Sequence, residues 1–200
     1  MAQLKGEARS TFVSQMFKSI AKQYDLMNTV MTLGRHRSWR KKCVDYMAIE
    51  SGNVLDLASG TGDFILDILE NSKANYVVGL DITLAMLNVA AKKISDKNLS
   101  NRTVLMVGDA HKLPFNDGTF DYVTVGFGVR NFQNLSVAIH EIQRVLSTKG
   151  KLVVLEIVKP DGWVMSRLFP VFFGVLPPIL GIIFARNKEA YLYLPRSVHG

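Results

Sequence analysis

The chain has 200 residues, of which 48% are hydrophobic and 20% are charged, and its formal net charge is +7. This length suits one α/β domain and is short for two, and the apolar fraction excludes global disorder. The single cysteine, Cys43, excludes an internal disulfide and favours a reducing, cytoplasmic setting. The positive charge admits nucleic acid, an anionic membrane or an anionic ligand as a partner.

The N-terminal part, residues 8–47, lacks strand-like runs and is predicted to be helical. Its apolar residues recur at every fourth position, which is the pattern of one amphipathic helix. These residues are Phe12, Met16, Ile20 and Tyr24. Gly34 interrupts the pattern, and a second helix is predicted over 37–47.

From residue 53 onward, strand-like and helix-like segments alternate. Strands are predicted over 54–58, 76–80, 103–107, 120–125 and 151–157, with helices over 61–70, 83–94 and 134–146. Repeated strand and helix units indicate a Rossmann-like α/β fold, a mostly parallel, twisted sheet with helices on both faces. Ligands of such sheets bind beyond the carboxyl ends of the strands, so the loops after these ends are expected on one rim.

The loop after the first strand reads Asp-Leu-Ala-Ser-Gly-Thr-Gly-Asp. Its two glycines permit a tight turn close to a ligand, and the next helix directs free N–H groups at it. Its carboxylates would repel a pyrophosphate but attract the cationic amino acid end of S-adenosylmethionine, and Ile65 replaces the third glycine of a dinucleotide fingerprint. The loop therefore predicts an S-adenosylmethionine site formed by Asp56, Ala58, Gly60, Thr61, Gly62 and Asp63.

Acids also end the next two predicted strands. Asp81 is placed to accept both ribose hydroxyls and Asp109 to meet the adenine amino group, although solvated acids at exposed strand ends are the alternative. Met86 is predicted to cover the adenine face, and a core position under its helix explains it equally well. The predicted cofactor set is completed by Ile82, Ala110 and Gly126.

Several longer stretches resemble one family. The first is the cofactor loop, Val54-Leu-Asp-Leu-Ala-Ser-Gly-Thr-Gly-Asp63. The others are Tyr24-Asp-Leu-Met-Asn28 followed by His36 and Trp39, Gly126-Phe-Gly-Val-Arg-Asn131, the segment 144–156, and Tyr191-Leu-Tyr-Leu-Pro-Arg-Ser-Val198. Together they make nearly the whole chain similar to the UbiE/COQ5 family of class I methyltransferases, the C-methyltransferases of menaquinone and ubiquinone biosynthesis.

The resemblance implies one S-adenosylmethionine-dependent domain over 1–200. Within it we expect a helical substrate cap at 1–50, a cofactor-binding core at 51–158 and an apolar segment at 159–200 that faces the substrate or a membrane. The implied reaction is methylation of a ring carbon of a polyprenyl quinol, either demethylmenaquinol or a ubiquinone precursor. Family members usually continue for another helix and a closing hairpin, so either the chain is truncated or the final strands are absent.

The resemblance also implies the catalytic residues. Arg130 is expected to stabilise the quinol phenolate or to polarise a water that takes its proton, and Asn131 to orient Arg130 or a quinol oxygen. The alternative for Arg130 is a loop ion pair, for example with Asp109.

The N-terminal helices are expected to supply the quinol-binding residues. Tyr24, Asn28, His36 and Arg130 form the predicted substrate set, and His36 is a candidate proton shuttle. Helix packing by Tyr24 and a solvated His36 are the alternatives. The remaining histidines show no metal-ligand spacing, so we expect no metal.

The apolar run over 168–184 is too short, and too often broken by proline, to be a spanning helix. We expect it to wall a groove for the prenyl tail or to enter the membrane interface, which predicts a cytoplasmic protein held peripherally at the inner face of the cell membrane. An ordinary buried helix pair explains the run equally well. The oligomeric state stays open, with a homodimer as one candidate.

Three rival functions are compatible with parts of the sequence. Another small-molecule or lipid methyltransferase would share the cofactor loop and Asp81. A nucleic-acid methyltransferase would explain the charge, but the chain lacks an Asn-Pro-Pro-Tyr type motif, so no nucleic-acid partner is expected. A cofactor-binding protein of low turnover is the third.

Overall fold

In the computed structural model, residues 7–158 are described, and within them five strands form one sheet. The strands are β1 (Asn53–Leu57), β2 (Tyr76–Asp81), β3 (Thr103–Val107), β4 (Phe120–Gly126) and β5 (Leu146–Leu155). Their order across the sheet is β3-β2-β1-β4-β5, and every neighbouring pair is parallel. The predicted Rossmann-like α/β fold is therefore confirmed.

Six α-helices accompany the sheet in this part of the chain. They are α1 (Glu7–Ile20), α2 (Tyr24–Met31), α3 (Arg35–Met47), α4 (Asp63–Asn71), α5 (Leu84–Asp96) and α6 (Leu135–Val145). Single 3-10 turns lie at Ser100–Arg102 and Val129–Asn131.

The prediction of one N-terminal helix that includes Tyr24 is wrong. Helix α1 ends at Ile20, the Gln23 N–H donates to the Ile20 carbonyl at 2.9 Å, and Tyr24 begins α2. The four-residue spacing continues across this turn, so periodicity alone could not show the break. Gly34 ends the next segment with a φ of +75°, a backbone conformation that favours glycine, and α3 begins two residues earlier than predicted.

The core lies on both faces of the sheet because successive residues of β1 point to opposite sides. Val54 packs with residues of α3, α4 and α5, whereas Leu55 packs with residues of α6. Four of the five residues of β1 are fully buried, as expected for a central parallel strand covered by helices.

Register brings the strand ends to one rim. Asp56 of β1 lies opposite Gly79 of β2 and Thr124 of β4. The carboxyl ends of β1, β2 and β4 therefore share the edge from which the loop before α4 departs, which is where a ligand of this fold binds.

Some predictions lie outside the described residues: the apolar run over 168–184, the stretch over 191–198 and the fate of the final strands. Within residues 7–158, no helix is both long and apolar enough to cross a bilayer. The division into cap, core and apolar segment stays a prediction.

Candidate active site

A cleft of about 800 Å³, including its open mouth, lies at the carboxyl rim of the sheet. Eight of the residues predicted to bind the cofactor line it. They are Ala58, Gly60, Asp81, Ile82, Met86, Asp109, Ala110 and Gly126. The strand-end positions chosen from the sequence are therefore brought together in one place.

A smaller cavity of about 400 Å³ adjoins the cleft. The two share Tyr24, Ala58, Gly60, Gly126 and Phe127. Three further predicted residues, Asp56, Thr61 and Asp63, line only the smaller cavity, together with Asn28 and Arg40. Cleft and smaller cavity thus meet at the cofactor loop, with Tyr24 of α2 between them.

The cofactor loop turns sharply at the end of β1. Ala58 and Gly60 have φ angles of +53° and +55°, a conformation that costs a non-glycine residue energy. A Cβ added to Gly60 would meet no atom closer than 3.9 Å, so space for a ligand lies beside the loop backbone.

Gly62 lines neither cavity. It precedes α4 with a φ of +79°, and an added Cβ would come within 2.8 Å of the Ala90 Cβ. The structure thus gives this predicted ligand residue a packing role, because α5 approaches the loop too closely for a side chain.

Asp81 is buried at the end of β2 and holds the loop. Its Oδ2 accepts the Gly60 N–H at 2.9 Å and its Oδ1 accepts the Thr83 N–H at 2.7 Å. Burial raises the pKa of Asp81 above its usual range although both backbone donors oppose the shift. The Thr83 side chain also hydrogen-bonds this carboxylate, which has about four lone-pair sites in all, so acceptor capacity remains for a further donor.

Asp56 is the most enclosed acid of the site. Thr124 donates to its Oδ1 at 2.6 Å, and its Oδ2 is buried without a hydrogen-bond partner among the described residues. Burial raises the pKa of Asp56 to about 7 despite the Thr124 hydrogen bond and the Arg40 charge. Such an orphaned acceptor is suited to a cationic or N–H donor entering from the smaller cavity.

Asp109 has a partner that the sequence did not reveal. The His111 N–H donates to Asp109 Oδ1 at 2.9 Å, and the His111 Nδ1 lies 2.5 Å from the same oxygen. Burial alone would raise the pKa of Asp109, but these contacts lower it overall. Nε2 of His111 accepts the Asn134 N–H at 3.0 Å, so His111 connects the cofactor rim to the start of α6.

The remaining acid of the loop, Asp63, already contacts two cations of the protein. Its carboxylate pairs with Lys93 and lies 3.2 Å from Arg40. Burial would raise the pKa of Asp63, but these two cations lower it overall. The expectation that it attracts the amino acid end of the cofactor stays a prediction.

The predicted substrate residues are not all at the cleft. Burial raises the pKa of Tyr24 although a hydrogen bond with Asn28 opposes the shift, and both residues line cavities. His36 is 1% exposed, which excludes the solvated alternative, and it lines neither cavity. Its Nδ1 lies 2.7 Å from Thr32 Oγ1, and burial lowers the pKa of His36.

Arg130 and Asn131 occupy the 3-10 turn after β4. Asn131 lines the cleft, whereas the Arg130 guanidinium pairs with Glu156, whose other oxygen lies 3.3 Å from the Arg130 N–H. The structure thus pairs Arg130 with Glu156, and Asp109 with His111.

Several lining residues were missed by sequence reasoning. They come from α1 and from loops: Val13, Phe17, Thr83, His111, Phe127, Gly128, Phe132 and Gln133. Only adjacency to a recognised strand end could have suggested those in the loops, and nothing local marks those of α1.

Comparison with known proteins matches residues 3–200 to the ubiE/COQ5 methyltransferase family. A demethylmenaquinone methyltransferase of Bacteroides fragilis is 36% identical over 191 residues, which are 95% of this chain and 78% of that relative. A ubiquinone/menaquinone biosynthesis C-methyltransferase UbiE of Rickettsia typhi is 38% identical over 190 residues, 93% of this chain and 77% of that relative.

The chain belongs to the ubiE/COQ5 methyltransferase family. It is therefore an enzyme, a class I methyltransferase with S-adenosylmethionine as its cofactor. The fold agrees with a putative S-adenosylmethionine-dependent methyltransferase of Methanococcus maripaludis, with a TM-score of 0.67 at 20% identity over 100% of this chain and 87% of that one. In this ubiE/COQ5 methyltransferase the cleft is the candidate active site.

Proposed function

We propose that the protein methylates a ring carbon of a polyprenyl quinol, either demethylmenaquinol or the corresponding ubiquinone precursor. The relatives named for these reactions cover most of the chain. The observation that carries the proposal is the cleft itself, where the cofactor loop, Tyr24 of α2 and the Asn131 turn converge.

The residues present suit S-adenosylmethionine. Gly60 leaves room beside the loop, and the orphaned Oδ2 of Asp56 is an acceptor for the ammonium group. The Asp81 carboxylate has acceptor capacity left for the ribose hydroxyls, and Asp109 and Met86 line the part of the cleft proposed for adenine. The cofactor, when bound, supplies an electrophilic methyl group on its sulfonium.

The chain must make the acceptor carbon nucleophilic. A phenol has a pKa of about 10, so an enzyme gains rate by stabilising the phenolate next to the reacting carbon. We assign this role to Arg130, whose guanidinium cannot readily lose a proton. Glu156 orients the guanidinium, and the neighbouring Asn131 faces the cleft.

We revise the part proposed for His36. The Thr32 hydroxyl donates to the Asn28 carbonyl at 2.7 Å and contacts His36 Nδ1, so His36 reaches the cavity only through α2. Its lowered pKa keeps the ring neutral near pH 7. A role in positioning Asn28 therefore agrees better with its burial than a proton shuttle.

We also propose peripheral contact with an anionic membrane. The formal net charge is +7, and Arg35, Arg37 and Lys42 are exposed along α3. Such cations gain about 1 kcal/mol each near an anionic surface. This arrangement would let a polyprenyl tail remain in the bilayer while its ring enters the cleft.

A binding and turnover assay tests the function. Calorimetry with S-adenosylmethionine should give one site per chain, and the purified protein should then methylate demethylmenaquinol in detergent. A panel containing a sterol, a phospholipid and a catechol separates the rival enzymes. Methylation of one of these acceptors but of no quinol would overturn the assignment, and cofactor binding without any turnover would favour the binding protein.

A further inference from the structure

A cluster of ion pairs joins four helices beside the cofactor loop. Lys93 of α5 lies between two carboxylates, with its Nζ 2.9 Å from Asp25 Oδ2 and paired with Asp63. Arg40 of α3 lies 3.2 Å from Asp63 Oδ2 and 2.5 Å from Asp67 Oδ2. We call these five residues the Lys93 cluster.

The Lys93 cluster is more enclosed than an ordinary surface ion pair. The side chains of Lys93 and Arg40 are 25% and 8% exposed, whereas Lys97, which directly follows α5 and pairs with Glu70 of α4, is 58% exposed. Exposed pairs contribute little, but removing one partner of an enclosed pair leaves an uncompensated charge that the structure must move to solvate.

The cluster is connected to the cleft through one carboxylate. Asp25 Oδ1 accepts the Thr61 hydroxyl of the cofactor loop at 2.5 Å, while its Oδ2 faces Lys93. Tyr24 directly precedes Asp25 and lies between the two cavities, with its Cε1 3.9 Å from the position of a Gly60 Cβ. Lys93 therefore holds the carboxylate of Asp25, and Tyr24, the residue next to Asp25, covers the cofactor loop.

We propose that Asp25 and Lys93 are positioning residues that hold Tyr24 of the N-terminal helices over the cofactor loop. Methyl transfer needs the acceptor carbon about 3–3.5 Å from the donor in a defined direction, and a displacement of about 1 Å costs up to about a hundredfold in rate. Asp25 and Lys93 act on the side of the cleft that receives the methyl acceptor, and this part of the proposal rests on the proposed function. The position of Tyr24 can be measured without assuming that function.

Lys93→Met is the first test, with Lys97→Met, directly after the end of α5, as the matched control. In protein labelled with 3-fluorotyrosine, the Tyr24 signal, identified by its loss in Tyr24→Phe, should shift and broaden in Lys93→Met. We expect kcat/KM for the quinol to fall about tenfold while the Kd for S-adenosylmethionine changes less than about threefold. Lys97→Met should leave all three at the wild-type values.

Conservative variants separate positioning from folding. Lys93→Arg keeps the charge and should recover most of the turnover and the Tyr24 signal. Asp25→Asn keeps an acceptor for Thr61 but loses the charge, so it should reproduce the effect of Lys93→Met and replaces it if that variant does not fold.

Two results would overturn the proposal. One is an unchanged Tyr24 signal in both Lys93→Met and Asp25→Asn. The other is a loss of cofactor affinity and of turnover in the same proportion, which a purely structural role predicts. If the wild-type protein methylates no quinol, the proposed function fails, while the fluorine spectra and calorimetry still decide the positioning.

Discussion

At the scale of single residues, the fold strongly changes the pKa of the Asp56 carboxyl group. It is fully enclosed, one oxygen has no hydrogen-bond partner among the described residues, and its pKa is about 7. Asp81 disfavours its ionisation and Arg40 favours it. A ligand cation at Oδ2 would favour the ionised form, so binding and ionisation of Asp56 should be linked.

This linkage has a definite sign. Below pH 7 the free protein holds Asp56 protonated, so binding the cofactor ammonium must release a proton. Affinity for S-adenosylmethionine should therefore weaken as pH falls from 7.5 to 5.5, by at most about tenfold per unit. Calorimetry across this range checks it, and Asp56→Asn, which cannot ionise, should bind more weakly with a flat profile. A wild-type Kd independent of pH would contradict the linkage.

Asp81 and Arg130 should separate binding from chemistry. Asp81→Ala removes the acceptor that holds Gly60 and the proposed ribose contact, so cofactor binding should be lost in calorimetry. Arg130→Ala should keep the Kd within about threefold and lower kcat about a hundredfold, as expected for a group acting on developing charge. Unchanged turnover in Arg130→Ala would remove the arginine from the mechanism. Glu156→Gln, which keeps a hydrogen-bond acceptor, is its matched control.

Sequence reasoning found the strand-end residues of the site because parallel topology alone places them on one rim. Asp81, Asp109 and Gly126 needed only correct strand ends. His111 and Phe132 could not be found this way, since their positions depend on the paths of loops and on contacts between residues 23 positions apart. Long-range contacts of this kind leave no local pattern.

At the scale of elements, the meeting of α4 and α5 constrains the cofactor loop. Gly62→Ala would place a methyl group 2.8 Å from Ala90 Cβ at a φ of +79°, which combines overlap with backbone strain. We expect a loss of about 2–4 kcal/mol in the free energy of unfolding in urea.

Gly34→Ala is the control for the overlap. Its φ is +75° but nothing lies within 4 Å of an added Cβ, so strain alone should cost about 1 kcal/mol. Equal losses for the two variants would show that the contact with α5 is unimportant.

The strands were predicted better than the helix ends. A short, mostly apolar run bounded by glycine or asparagine marks β1 and β2, whereas the break after Ile20 follows no change in spacing. The last strand was predicted to begin at Lys151 but begins at Leu146, which pairs with Phe120 across an irregular register. The stretch between Leu146 and Lys151 includes Lys149 and Gly150, which have low strand propensity, so local preference did not predict this start.

At the scale of the whole molecule, the net charge of +7 suits either an anionic membrane or a nucleic acid, and a binding experiment distinguishes the two. We expect sedimentation with vesicles containing about 30% anionic lipid, little binding to zwitterionic vesicles, and loss of binding between low salt and about 0.5 M salt, because screening removes the attraction. Duplex DNA at equal charge concentration should compete only weakly. Tighter, salt-dependent binding to DNA than to vesicles would instead revive the nucleic-acid reading.

The strand order has a consequence for how the cleft comes into being during synthesis. β1, β2 and β3 emerge in sequence and can pair as they appear, but β4 must return to the opposite side of β1, closing a contact 68 residues long between Asp56 and Thr124. Pairings so distant along the chain form late. A ribosome-bound chain that ends before residue 124 thus carries the whole glycine-rich motif without the Thr124 contact to Asp56 and without the Gly126 and Phe127 lining of the cleft. Capture of S-adenosylmethionine should therefore mark one of the last folding steps.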